Sequence, residues 1–269
     1  MTPFYDPMVT AYFERLSATA FHATEAVQGA WNTSEQHIAP TIGLLAHLVE
    51  TDRDARRDDP LVLARVSYDI LGVLPIDAVD VEIRVIRPGR TIELVEATLS
   101  HAGRPAVILR AWLMQTADTT AIAGGALPVM PPLDSHAEWQ AGAVWPGAFV
   151  RSGDFRHRED EPGRASAWVR PHHPLLADER VSPTARALGV VDLSNGMTPR
   201  VPIGSAFFPN VDLTAHLFRE PDEGWIGLDT TVTFGANGVG VTHSVLNDEA
   251  GPFGVSVQSL TVRPVAPRD

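Results

Sequence analysis

The chain has 269 residues, a formal net charge of −12, no cysteine and 44% hydrophobic residues. This length allows one large domain or two of ordinary size, with a sizeable core. Disulfides and thiolate metal sites are excluded, and all 21 basic residues are arginine, which excludes a Schiff-base lysine. The acidic charge argues against nucleic acids and anionic membranes as partners, because both require a basic face.

Targeting and membrane segments are not indicated. The first twenty residues contain no basic-then-apolar signal region. No apolar run approaches the ~20 residues that cross a bilayer. We therefore expect a cytoplasmic protein without a membrane span.

The first half predicts a helix and a set of antiparallel strands. Residues 21–31 predict a strand, and residues 34–50 predict a helix that Ser34 caps, with apolar residues at helical spacing. Pro40 lies inside this helix, although proline is tolerated best in a first turn. A charged loop at 51–59 follows, and then strands near 61–73, 79–87, 91–101 and 105–115. Such a sheet buries one face, and one central helix suffices to cover it.

The second half repeats this order after a linker. Residues 117–146 contain two adjacent glycines and a Pro-Pro pair, which indicate a linker. Strands are predicted near 148–157 and 164–170, and a helix starts at Ser182 with Pro183 in its first position. Asn195-Gly196 predicts the end of that helix. Strands near 210–219, 224–234, 239–248 and 252–263 complete the half.

An internal duplication relates the two halves. Residues 65–112 align without a gap on residues 212–259, an offset of 147, and apolar alternation matches apolar alternation throughout. Pro105 aligns with Pro252 and Leu99 with Leu246. The duplication predicts an α+β fold of two similar units: 1–116, the linker 117–146, and 147–269.

Several motifs give the chain a resemblance to a known family. The motifs are Arg87-Pro88-Gly89-Arg90 in the first half, and Trp168-Val169-Arg170-Pro171, Asn210 to Thr214, Trp225 to Asp229 and Val257-Gln258-Ser259 in the second. With these motifs the chain resembles the acyl-CoA thioesterase II-type double-hotdog family of the thioesterase-like superfamily. The resemblance implies a tandem hotdog, in which two antiparallel sheets each wrap one long helix and form a pseudo-dimer.

The resemblance also implies a catalytic trio in the second unit. In that family an aspartate, a threonine or serine, and a glutamine position a water; Asp212, Thr233 and Gln258 match them here. Thr231 lies two residues earlier on the same strand face and remains an alternative hydroxyl. By the offset of 147, the trio corresponds to Arg65, Ile86 and Ala111, so only the second unit carries these polar groups. One active site per chain is expected.

The leading hypothesis is a cofactor-independent thioesterase that hydrolyses acyl-CoA to free acid and CoA. A non-catalytic acyl-CoA or lipid-binding protein is the alternative. An enoyl-CoA hydratase or dehydratase is a third, for which His37 lies near a helix start but has no evident partner in the sequence. Arg84, Arg87 and Arg90 are candidates for the CoA phosphates, or charges at a strand edge. The resemblance implies either a monomer or a homo-oligomer of double-hotdog chains.

Overall fold

The computed structural model describes residues 11–59 and 61–265. Its first half contains six strands and one long helix. In chain order these are β1 (Phe13–Arg15), β2 (Ala20–Ala23), α1 (Ile38–Arg56), β3 (Leu61–Ile70), β4 (Ala78–Arg87), β5 (Ile92–His101) and β6 (Arg104–Gln115). The predicted strand at 21–31 is confirmed only at its start, because a 3-10 turn at Glu25–Val27 follows β2.

The second half repeats this arrangement with shorter helices. Its elements are β7 (Ala137–Glu138), α2 (Ala148–Arg151), β8 (Gly153–Glu161), β9 (Arg164–Pro171), α3 (Pro183–Val191), α4 (Ser194–Met197), β10 (Ala206–Phe207), β11 (Asp212–Leu217), β12 (Ile226–Phe234), β13 (Val239–Asp248), β14 (Gly251–Thr261) and β15 (Arg263–Pro264). The strand predicted from 148 begins five residues late, since the helical turn α2 takes its place.

The two halves share one continuous antiparallel sheet. Its order is β1-β2-β4-β5-β6-β3-β11-β14-β13-β12-β9-β8-β7, so β3 and β11 join the halves at the centre. At this junction Ser67 pairs with Thr214, and their hydroxyls lie 3.0 Å apart. The two predicted sheets are one sheet in the structure, because their edge strands hydrogen-bond to each other, which removes two exposed edges.

The offset of 147 holds in the strand register. β5 and β13 have identical length and start 147 residues apart. Val95 pairs with Ala111 in the first half, and Thr242 pairs with Gln258 at the corresponding place in the second. The residues that align without a gap in the sequence therefore also occupy equivalent positions in the strand pairing of the two halves.

Helix α1 begins at Ile38, four residues after the predicted start at 34, and ends at Arg56, six residues after the predicted end at 50. Its N-cap is His37, whose Nδ1 accepts a hydrogen bond from the N–H of Ala39. Ser34 instead donates to Asn32 Oδ1 in the preceding turn. This start places Pro40 in the first turn. A backbone N–H at that position would have no acceptor within the helix, so proline costs no hydrogen bond there. At the other end an Asp52–Arg56 ion pair extends the helix through part of the predicted charged loop.

Helix α3 begins as predicted. Ser182 is its N-cap and accepts from the N–H of Ala185, and Pro183 is its first residue. The predicted stop at Asn195-Gly196 is wrong, because α3 ends at Val191 and these two residues lie inside α4. Asp192 is the C-cap residue between the two helices.

The predicted linker packs against the second half over part of its length. Residues 116–126 are exposed, but Trp168 donates its indole N–H to the carbonyl of Pro131. Farther along, His136 Nε2 lies 2.8 Å from Ser166 Oγ. These contacts cover the face of the sheet opposite α3. Within the described residues no helix is long and apolar enough to cross a membrane.

Candidate active site

A cavity of about 420 Å³ opens between the two halves. The first half contributes the segment before α1 and the loop after β3, the linker contributes Trp139 and Trp145, and the second half contributes the α3–α4 junction. Tryptophan and aliphatic side chains dominate its wall. The polar side chains that line it are Asn32, Glu35, Gln36, His37, Asp192, Asn195, Asn210, Thr261 and Arg263. This composition is typical of a small-molecule site.

Asp192 is the central acid of this cavity. Its Oδ1 accepts two hydrogen bonds, from Asn210 Nδ2 at 2.7 Å and from Gln258 Nε2 at 2.9 Å. Its Oδ2 lies 3.9 Å from His37 Nδ1. Three separate parts of the fold therefore converge on the carboxyl group at the end of α3: the residues just before β11, strand β14 and the N-cap of α1.

Burial dominates the protonation of this carboxyl. Desolvation raises the pKa of Asp192 to about 7, against the opposing effect of the two amide donors. A carboxyl with a pKa near neutrality is suited to take up a proton and release it again. Two amides on Oδ1 leave Oδ2 as the oxygen available for that transfer.

His37 is a neutral neighbour of this acid. Burial lowers its pKa to about 4, and Nδ1 accepts the N–H of Ala39. The remaining proton of a neutral ring then sits on Nε2. The backbone N–H of Ile38, the first residue of α1, donates to no acceptor in the described part of the chain. Ile38 lines the cavity.

The structure brings only one residue of the predicted trio to this carboxyl. Gln258 is buried and contacts Asp192. Asp212 accepts the backbone N–H of Ser259 at 2.6 Å, which fastens the start of β11 to β14. Its carbonyl also accepts from Asn210. Asp212 thus supports the strand on which Asn210 depends, and Asp192 takes the place expected for the acid.

Thr233 lies on the wrong face of the sheet. Gln258 pairs with Thr242, and Thr242 pairs with Val232. Val232 therefore shares the face of Gln258, and Thr233 points to the opposite side, where it is exposed. Thr231 shares that outer face. Both predicted hydroxyl residues are excluded from the site by strand parity.

Two signals in the sequence pointed to the residues that were missed. Asp192 follows an apolar helical run and lies at helical spacing from Leu188 and Asn195, so a carboxyl falls on a buried helix face. Asn210 opens the motif that the resemblance rests on. Neither signal reveals that the two side chains meet, because 18 residues separate them in the chain.

Two of the arginines considered either for the CoA phosphates or as charges at a strand edge, Arg84 and Arg87, do not line the cavity. Arg84 pairs with Glu96, and Arg87 donates to the carbonyl of Ile92. Both lie toward the end of β4, whereas the cavity borders the loop before that strand. Arg263 lines the cavity itself. The described residues contain no group of three His, Asp or Glu placed to hold a metal ion.

Solved structures with the same fold cover nearly the whole chain. A protein described as having the "Hot dog Fold", from Alicyclobacillus acidocaldarius, has a TM-score of 0.72 and 12% identity and covers 94% of this chain and 96% of its own. A "putative thioesterase II" from Thermobifida fusca has a TM-score of 0.69 and 17% identity, covering 96% and 99%. An "acyl-CoA thioesterase II" from Mycobacterium marinum has a TM-score of 0.66 and 16% identity, covering 94% and 96%.

Sequence comparison gives the family. No curated protein matches the sequence. A family model described as "Acyl-CoA thioesterase N-terminal domain" matches residues 27–114, and one described as "Acyl-CoA thioesterase C-terminal domain" matches residues 128–262. The chain therefore belongs to the acyl-CoA thioesterase family and has the hotdog fold of its structural neighbours.

Proposed function

We propose that the protein is an acyl-CoA thioesterase that uses Asp192 as its general base. The observation that carries this proposal is the buried carboxyl, held by Asn210 and Gln258 at the wall of an otherwise mainly apolar cavity. An acyl chain fits the apolar part of that cavity, and the thioester then lies beside the carboxyl group. Family membership supports acyl-CoA as the substrate class.

The reaction needs a base, an acid and an oxyanion site. Asp192 Oδ2 takes a proton from a water as the water oxygen attacks the thioester carbon. The N–H of Ile38, at the positive end of the α1 dipole, stabilises the oxyanion that forms. The C–S bond then breaks, and the carboxylic acid of Asp192 returns its proton to the leaving thiolate.

The two amides keep Oδ1 occupied during this cycle. Asn210 takes the place that a threonine or serine holds in the family pattern, and an amide N–H donates to a carboxylate as a hydroxyl does. Gln258 donates from the opposite side. Together they orient the carboxyl group so that Oδ2 remains free for the proton.

The domain organisation that we propose is two hotdog units, 1–116 and 147–269, joined by the linker and forming a pseudo-dimer. The strand register repeated at an offset of 147 supports it. The acid and both amides belong to the second unit, while His37 and the N-terminus of α1 belong to the first. Each chain thus has one composite site between its units.

A direct test measures free thiol release from acyl-CoAs of several chain lengths. We expect turnover by the wild type and a loss of about 10²-fold or more in kcat for Asp192→Asn, because a general base contributes 10²–10⁴-fold. Thr233→Val serves as the matched control, since this outer-face side chain is exposed, and we expect wild-type rates. Absence of turnover on every acyl-CoA by folded wild-type protein would refute the proposal.

A second candidate function is enoyl-CoA hydration or dehydration. The observation in its favour is the 3.9 Å approach of His37 to Asp192, which supplies the partner that the sequence did not reveal. Hydratase chemistry predicts water addition to an enoyl-CoA without thiol release. A non-catalytic acyl-CoA-binding protein predicts binding with neither reaction and no change in Asp192→Asn.

A further inference from the structure

A patch of buried polar side chains continues from Gln258 across the inner face of the second half. Thr242 pairs with Gln258, Ser244 pairs with Ser256, and Thr230 pairs with Ser244 on the adjacent strand. All five side chains are at most 2% exposed. A sheet core normally buries apolar residues at such positions, so the presence of five buried polar side chains here requires an explanation.

The first half shows that the fold itself does not need these polar groups. At an offset of 147 the corresponding residues form the same cross-strand pairs. All are apolar: Ile83, Val95, Ala97, Leu109 and Ala111. The first half therefore builds the same cross-strand pairs with apolar residues at all five of these positions.

Two oxygens of the patch stand out. Thr230 and Ser244 satisfy each other through a 2.8 Å hydroxyl contact. Thr242 Oγ1 and Gln258 Oε1, by contrast, have no hydrogen-bond partner within residues 11–59 and 61–265. Leaving a buried polar atom unpaired is unfavourable, and buried waters commonly satisfy such atoms. Thr242 and Gln258 are directly opposed on β13 and β14, where Cβ atoms lie about 5 Å apart, so the two oxygens belong to adjacent side chains.

We propose that Thr242 is a positioning residue for the active site, acting through a buried water that bridges Thr242 Oγ1 and Gln258 Oε1. The water donates to Oε1, which fixes that end of the amide toward β13. The Nε2 end then faces Asp192, where it donates to Oδ1. This role rests on the proposed function only in so far as Asp192 is the base.

The bridge matters because a free amide can rotate. Turning Gln258 would place Oε1 against the carboxylate and exchange a donor for a repulsive acceptor. His37 from α1 approaches Asp192 Oδ2, and Glu35 and Arg263 are the other titratable residues that line the same cavity. Within the described residues, the hydrogen-bond donors to Oδ1 are Asn210 and Gln258.

The test compares Thr242→Val with Thr242→Ser. Valine keeps the shape of threonine and is the residue that the first half has at this position, Val95. With Thr242→Val we expect kcat to fall about tenfold with KM unchanged, equivalent to one hydrogen bond. We also expect the pKa of Asp192, followed by carboxyl ¹³C NMR, to rise by about one unit because a donor is lost. Thr242→Ser keeps the hydroxyl and should retain both wild-type values.

Two results would overturn the inference. One is an unchanged Asp192 titration in folded Thr242→Val protein. The other is a high-resolution crystal structure of the wild type without a water within about 3.2 Å of both oxygens; this measurement also decides the matter if Thr242→Val does not fold. If the wild type releases no thiol, the proposed function fails, but the titration and the water still test the positioning role.

Discussion

At the scale of single residues, the site depends on how Asp192 is buried. The carboxyl has two amide donors and a neutral histidine beside it, and no cation forms an ion pair with it in the described part of the chain. Burial therefore outweighs hydrogen bonding, and the proton is held more tightly than by an ordinary aspartate. Two predictions follow from this balance.

The activity should titrate with Asp192. Because the base must be ionised, we expect kcat/KM to rise with pH through an apparent pKa of about 7 and then to level off. His37, with its pKa lowered to about 4, stays neutral and adds no limb above pH 5. A pH–rate profile of the wild type checks this. A single limb near pH 4 would show that another carboxyl is the base.

Removing the charge at Asp192 should stabilise the protein while it abolishes turnover. The folded-state pKa of this acid lies above its ordinary value of 3.8, so the native state loses stability as pH rises through about 7. Asp192→Asn stays neutral and keeps an oxygen for both amides. We expect its Tm to exceed that of the wild type by roughly 5 °C at pH 8, with the difference vanishing toward pH 4. An equal or lower Tm at pH 8 would contradict this account.

At the scale of elements, helices α1 and α3 pack against each other at two glycines, Gly43 and Gly189. A Cβ built on Gly43 of α1 would lie 2.9 Å from Gly189 Cα and 3.0 Å from the carbonyl oxygen of Ala185. These are backbone atoms, which cannot move aside without shifting α3. The close approach places the N-terminus of α1 near the end of α3, and hence His37 near Asp192.

The helix contact should tolerate a methyl group on one side only. We expect Gly43→Ala to destabilise the protein by about 1–3 kcal/mol, because it over-packs the contact. Gly189→Ala is the matched control: its Cβ would have 3.6 Å to the nearest atom, and alanine favours a helix. Thermal unfolding of both variants distinguishes them. Equal Tm values would show that the helices adjust freely.

At the scale of the whole molecule, the β3–β11 junction and the α1–α3 contact join the halves independently of the linker. The residues around Gly124 and Gly125 are exposed. We expect a chain cut by protease at a site inserted between these glycines to elute as one species and to retain thiol release. Separation of the two fragments on gel filtration under native conditions would contradict a shared sheet. Assembly into a homo-oligomer and a cytoplasmic location stay predictions.

The strand positions and the second helix start could be predicted from the sequence because local patterns specify them. Period-two alternation marks β4–β6 and β12–β14, and Ser182-Pro183 marks α3. The start of α1 was misplaced because serine is a preferred N-cap residue and histidine is not, whereas in the structure Ser34 bonds to Asn32 and His37 caps the helix. Asp212 and Gln258 were both proposed from the resemblance; the structure places Gln258 against Asp192 and Asp212 on the backbone N–H of Ser259.

What the sequence determined by itself was the duplication, the order of elements, the family and the concentration of polar groups in one copy. These are properties of residues close together in the chain or at a constant offset. Only the tertiary structure decided which acid is buried and which face of β12 packs toward the core. It also decided that His37 of the first half lies beside Asp192 of the second. Those features depend on contacts between segments 18 to 155 residues apart. The pKa of Asp192 is raised by the burial that such contacts create.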